Sequence, residues 1–256
     1  MDYPTLSKAP LVEVIFELYW QLQQPQNGQP EMNYGILAGR LFEKLKVEYP
    51  FHEPLPAASM PTEMAGYLIQ HRFRTGDNEW PLIQVGPGLV TLNQVKDGFE
   101  RGTFHRGIEK LVATLLEIYT ENRRPRFNRL MMRYIDAVDF DYQSENISDY
   151  IARTLKTDLA VSSALFVDTG ISAAPTSLDT TFYFNSENPR GQLRLRFGKG
   201  RRDDRDLLRW ESIVEATGDE VPQETDGITQ WAGDADELIH KVFFRMIEGE
   251  MKERFK

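Results

Sequence analysis

Cysteine is absent from this 256-residue chain. That excludes disulfides, thiolate nucleophiles and zinc sites built on thiolate ligands. Histidine is scarce: His52, His71, His105 and His240 stand at no metal-ligand spacing, and no His-Glu-x-x-His occurs. Long apolar runs are also missing, the longest falling far short of the roughly 18 residues that span a bilayer. The opening MDYPTLSKAP has no stretch resembling a signal peptide. A cytoplasmic protein of bacterial type, without membrane association, is the expectation.

The common nucleotide and nucleophile motifs are missing as well. Gly198-Lys199-Gly200 lacks the upstream glycine and the hydroxyl of a P-loop, and Gly86-Pro87-Gly88 does not open a helix as a dinucleotide fingerprint would. No Gly-x-Ser-x-Gly occurs. Glu250-Met251-Lys252 supplies a Glu-x-Lys pair, but in the last turns of an expected helix rather than on the strand that a nuclease core needs. Neither a cofactor nor a conventional catalytic site is expected.

What is present is a globular composition, 41% hydrophobic and 11% aromatic, enough for a core. Acidic residues outnumber basic ones 39 to 30, for a net charge of -9. Such a surface repels nucleic acid unless positive charge is concentrated locally.

LVEVIFELYWQL (11–22) reads as a strand with Val12, Val14, Phe16 and Leu18 on one face. Tyr34, Leu37, Leu41 and Leu45 mark an amphipathic helix that Tyr49-Pro50 ends. Residues 67–74 and 81–92 read as paired strands around RTGDNEW, the second bent at Gly86-Pro87-Gly88. Phe104, Ile108, Leu111, Val112, Leu115, Leu116 and Tyr119 give the clearest helical stripe. The order then restarts: a strand over 128–142, a helix over 147–155, strands near 164–172, 178–185, 192–198 and 207–216, and a helix from about Asp234, where Asp234 and Glu237 form a capping signal.

An α+β fold follows, with mostly antiparallel sheet and helices packed on its faces, in two similar strand-helix-strands-helix halves. The halves are residues 1–122 and 123–256, either as two domains or as one intimately packed unit.

Leu6-Ser7-Lys8-Ala9-Pro10-Leu11-Val12-Glu13, the stretch IQVGPG (83–88) with Asn93 after it, RYIDAVDF (133–140) and HKVFFRMI (240–247) resemble a sporadically distributed bacterial family of uncharacterised proteins. Its members open on Leu-x-Lys-x-Pro-Ile/Leu-x-Glu and a strand. This chain departs at Asp136, where the family pattern leads one to expect Asn. The resemblance implies no established reaction and no catalytic residues. The family's scattered distribution associates it with mobile or defence-related gene neighbourhoods.

Asp136, Asp139 and Asp141 form the best carboxylate cluster. On a strand, Asp139 and Asp141 share a face, as two magnesium ligands would, while Asp136 points the other way. Alternation with Ile135, Val138 and Phe140 equally suits the wet face of a half-exposed strand.

Positive charge is concentrated twice. Arg123, Arg124, Arg126, Arg129 and Arg133 have no acid between them, and residues 190–209 hold eight Lys/Arg against Asp203, Asp204 and Asp206. In RLRFGKGRR (194–202), Leu195 and Phe197, with Leu193 before them, alternate with Arg194 and Arg196. One strand face therefore goes to the core and the other presents guanidinium groups, which Lys199, Arg201 and Arg202 extend into a glycine-rich turn. Neutralisation by the neighbouring aspartates is the plainer reading.

Three functions are compatible with this pattern. The first is a non-catalytic interaction protein within a multiprotein complex. The second is a nucleic-acid-binding protein using Arg123, Arg124, Arg126, Arg194, Arg196, Lys199, Arg201 and Arg202. The third is a divalent-metal phosphodiesterase or nuclease on Asp139 and Asp141.

Overall fold

The computed structural model describes residues 6–22, 34–60, 62–119 and 124–256. Nine antiparallel strands form one sheet: β1 (Leu11–Trp20), β2 (Phe51–Pro54), β3 (His71–Arg74), β4 (Leu82–Gly86), β5 (Leu89–Val95), β6 (Phe127–Asp139), β7 (Asp179–Glu187), β8 (Arg190–Arg202) and β9 (Arg205–Thr217). Their order across the sheet is β2-β3-β4-β5-β1-β6-β9-β8-β7. The helices are α1 (Tyr34–Leu45), α2 (Thr62–Ala65), α3 (Arg101–Ile118), α4 (Ile147–Leu155), α5 (Thr225–Met246) and α6 (Glu250–Phe255).

The topology is that of two like halves. In each, a leading strand (β1, β6) is followed by a helix (α1, α4), and an antiparallel meander, of four strands in the first half (β2-β3-β4-β5) and three in the second (β7-β8-β9), returns its last strand to pair with the leading one. A long helix (α3, α5) closes the half. The leading strands pair with each other, Phe16 opposite Met132, so both halves share one sheet.

Period-two side-chain alternation assigns the two faces. Val14, Phe16, Leu18 and Trp20 of β1 point to the helices and are fully buried, joined by Phe73, Ile83, Val90, Leu92, Leu130 and Met132 from neighbouring strands. The stripes of α1 (Leu37, Leu41, Leu45), α3 (Ile108, Leu111, Leu115) and α5 (Ile228, Ala232, Ala235, Ile239) cover them. A second cluster on the same side joins Phe197, Leu208 and Trp210 to Ile147 and Ile151 of α4 and to Met251 and Phe255 of α6.

Caps follow sequence where a short polar side chain is available. Asn146 accepts from the Ser148 N–H (2.9 Å) at α4, and Glu100 accepts from Gly102 and Thr103 at α3.

Several expectations need correction. Gly86-Pro87-Gly88 is the tight turn between β4 and β5 rather than a bend in one strand; Gly88 has φ +75°, as the second central residue of a type II turn requires after proline. The first hairpin strand begins at His71, not residue 67, and the four-residue β2 was too short to expect. Residues 164–172 form no strand. A short 3-10 turn (Ser163–Phe166) precedes positive φ at Asp168 and Gly170, which breaks extended backbone. Strand β6 ends at Asp139, leaving Asp141 in a turn, where its carboxylate accepts from the Gln143 N–H (2.9 Å). Val12 is exposed, beside a register shift in the β1–β6 pairing.

The last long helix starts at Thr225, not near Asp234, so the Asp234–Glu237 signal caps nothing. Asp234 lies mid-helix and accepts from Gln230 (3.0 Å). The segment before it contains Gly227 and Gly233, which disfavour helix. Burial of Ile228, Trp231 and Ala232 on the same stripe outweighs that propensity. Glu250-Met251-Lys252 belongs to the separate short helix α6.

Candidate functional site

The face of the sheet opposite the helices carries a row of charged and aromatic side chains. From register, Ile15 of β1 lies opposite Arg133 of β6, Arg133 opposite Ile213 of β9, Ile213 opposite Arg194 of β8, and Arg194 opposite Tyr183 of β7. Alternation places Glu13, Glu17 and Tyr19, Arg129 and Met131, Glu211 and Glu215, and Arg196 on this same face.

Most of its charges are matched internally. Glu211, 2% exposed, accepts from Arg133 (Nε at 2.7 Å, Nη2 at 2.5 Å), and Arg209 Nη2 lies 3.0 Å from its second oxygen. Arg129 Nε donates to Glu215 (2.5 Å) and its guanidinium sits 5.0 Å from the Tyr19 ring centroid. Arg196 makes a two-point contact with Asp179 at 3.0 and 2.8 Å, which holds that carboxyl below the usual range. Glu13 accepts from Asn93 Nδ2 at 2.8 Å, so two residues 80 positions apart meet on this face. Burial pushes the Glu13 carboxyl above its ordinary value, and the Asn93 hydrogen bond and Arg133 oppose that.

Arg194 differs. It has no carboxylate partner among the described residues, and its Nε is buried without an acceptor. It lines an open cavity of about 400 Å³ together with Arg133, Asp179, Thr181, Tyr183, Arg196, Glu211 and Ile213.

Of the rest of the basic stretch, alternation puts Arg202 on this face, near the far end of β8, and the others elsewhere. Strand β8 runs through both glycines to Arg202, and the turn to β9 is Asp203-Asp204, so there is no glycine-rich turn here. Alternation sends Lys199 and Arg201 to the opposite face. Lys199 pairs with Asp206 (2.7 Å) beside the Tyr142 ring, and Arg201 with Asp204 (3.1 Å). Arg202 and Arg205 lie 3.7 and 3.1 Å from Asp139, which is thereby engaged by cations. Arg124 pairs with Glu224 and Arg126 with Asp219, 3.1 and 3.0 Å apart, while Arg123 lies outside the described residues. Among the described residues no group of three or more His, Asp or Glu is arranged to hold a metal ion, and no helix is long and apolar enough to cross a membrane.

Local spacing missed a second polar centre. On the helix side, Asp236 of α5 is fully buried. Arg101 and His105 of α3 bind its Oδ2, His105 Nε2 at 2.8 Å; the Tyr134 hydroxyl donates to Oδ1 at 2.6 Å, and His240 Nδ1 lies 3.1 Å from it. Burial disfavours its charge, but the hydrogen bonds from His105, His240 and Tyr134 prevail and hold the carboxyl well below the usual range. His240 Nδ1 also lies 2.9 Å from the Asp236 backbone oxygen, and these contacts tie α3, α5 and β6 together. The i,i+4 spacing of Asp236 and His240 was the centre's one legible signal. Nearby, burial pushes Asp136 up to about 7 against the opposing influence of His240.

The other histidines converge too: His52 Nε2 lies 3.0 Å from His71 Nδ1, against Phe42 and Phe73. Burial and, secondarily, His52 lower the His71 pKa.

No protein-family model matches the chain, and no curated protein matches it.

Proposed function

We propose that this is a non-catalytic interaction protein of the bacterial cytoplasm that works within a multiprotein complex, docking its partner along β7. The observation that carries this reading is the asymmetry of the sheet edges. Edge β2 has four residues and ends on Pro54, a well-guarded edge. Edge β7 has nine residues and no proline or lysine, with Tyr183 and Phe184 59% and 48% exposed, and no strand pairs with its outer side among the described residues. An open edge of that length offers main-chain hydrogen bonds to a further strand. The absence of cysteine and the family resemblance support the setting but not the partner.

The test is capture from the cells that make the protein. A partner should be retained by wild type and by Val47→Lys, a change at a fully exposed residue after α1, and lost from Tyr183→Lys/Phe184→Lys. Equal capture by the β7 double variant would refute the reading. Internal pairing of Arg124, Arg126, Arg196, Arg201 and Arg202 leaves little free charge for phosphates. Binding of single-stranded RNA or DNA with a steep salt dependence would favour the nucleic-acid reading instead.

A further inference from the structure

We propose that the cavity around Arg194 is a carboxylate-recognition site, and that its ligand is an Asp or Glu side chain of an extended segment lying along β7. This rests on the reading of β7 as a docking edge.

The first support is chemical. A guanidinium carries five N–H donors in a planar fork matched to a carboxylate, and Arg194 has no such acid among the described residues although its Nε is buried. A donor buried without an acceptor is unfavourable, and an incoming oxyanion relieves it. Thr181 and Tyr183 bring further hydroxyl groups to the cavity wall.

Charge gives the second. The cavity is lined by Arg133, Arg194 and Arg196 against Asp179 and Glu211, leaving one net positive charge. One carboxylate neutralises it. A phosphate dianion would leave negative charge in excess, in a chain already at -9.

Position gives the third. Arg194 lies directly opposite Tyr183 in the β7–β8 pairing, one strand in from the open edge. A strand added to β7 would run about 10 Å from β8, two interstrand spacings, and turn every second side chain onto this face. That distance is within the joint reach of extended Arg and Glu side chains.

Arginine Nε–Hε signals in ¹H–¹⁵N NMR test the site without the partner. Sodium acetate and inorganic phosphate are titrated separately at pH 7 and constant ionic strength. Acetate should shift the Arg194 signal and those of Arg133 and Arg196 saturably, and Arg194→Gln, read from the Arg133 and Arg196 signals, should weaken binding about tenfold or more, as loss of a charge-assisted donor pair does. Arg201→Gln and Arg202→Gln should leave it unchanged, and the amide spectrum of each variant reports its folding. If Arg194→Gln disrupts that spectrum, Arg194→Lys, which keeps the charge but loses the fork, should weaken acetate in the folded protein. No saturable acetate response, or binding by both Arg194 variants as tight as that of wild type, would overturn the site whether or not β7 captures a protein. Phosphate binding more than about tenfold tighter than acetate would overturn the carboxylate assignment. Acetate binding together with partner capture that Arg194→Gln leaves intact would overturn the assignment of the carboxylate to the partner. Capture lost only with Tyr183→Lys/Phe184→Lys separates failure of the site from failure of the docking edge.

Discussion

Replacing Asp136 by asparagine should stabilise this protein at pH 8 and leave it nearly unchanged at pH 4. Asp136 is 3% exposed on the helix side of β6, opposite Leu11 and Trp210, and burial raises its pKa from 3.8 to about 7. The sign follows from linkage. Below about pH 4 the folded and unfolded chains both carry the proton, and the group costs nothing. Between about 4 and 7 the unfolded chain ionises while the folded one stays protonated, so stability falls as pH rises. Above about 7 the whole cost is present. At about 1.4 kcal/mol per pH unit, the gap between 3.8 and about 7 amounts to about 4 kcal/mol, a large share of the roughly 5–15 kcal/mol that holds a domain folded. Asparagine keeps the shape and never ionises. Urea unfolding of both proteins from pH 4 to pH 8 gives the difference in stability directly. That difference should be within about 1 kcal/mol at pH 4 and rise to about 4 kcal/mol in favour of Asp136→Asn at pH 8. A difference that stays flat between pH 5 and pH 8 would refute the reasoning and mean that the carboxylate is ionised and well solvated in the fold.

Three further outcomes are expected. Leu111→Ala, at a position 1% exposed in the middle of α3, should cost about 2–5 kcal/mol in chemical unfolding, and a loss under about 0.5 kcal/mol would contradict the packing of α3 on the sheet. Asp236→Asn should cost about 3–5 kcal/mol at pH 7, because it breaks a buried charge from Arg101, His105, His240 and Tyr134. Since the folded pKa of Asp236 is depressed, its contribution is present above about pH 4 and should shrink as pH falls below that in the same unfolding assay. Gly191→Ala should lower stability by about 2 kcal/mol or more, for its φ is +143° and a methyl group would sit 2.1 Å from the Glu215 carbonyl oxygen; an unchanged melting temperature would mean that the β8–β9 pairing is looser there.

Periodicity alone determined the class of this fold. The stripes of α1 and α3, the alternation in β1 and the repeat of strand, helix, strands and helix are local properties, because burying one face of a helix or strand imposes a spacing that any reader of the residues can see. The orientation of Arg194 and Arg196 away from Leu193 and Phe197 belongs to the same kind of knowledge.

Partners distant in sequence belong to the tertiary structure. A run such as RLRFGKGRR cannot say which arginine finds an acid: Arg196 found Asp179 seventeen residues away, Arg202 found Asp139, and Arg194 found none among the described residues. Likewise His105, Tyr134 and His240 come from three elements, and only the packing of α3 and α5 over β6 brings them to Asp236. The start of α5 and the failure of residues 164–172 to form a strand have the same cause. Local propensity is worth a few tenths of a kcal/mol per residue, whereas burial of one large side chain is worth about 1.5–3 kcal/mol. Trp231 and Ile228 found a core to enter and drew a glycine-containing segment into helix, while Leu165, Val167 and Ile171 found no place in the sheet and stayed exposed.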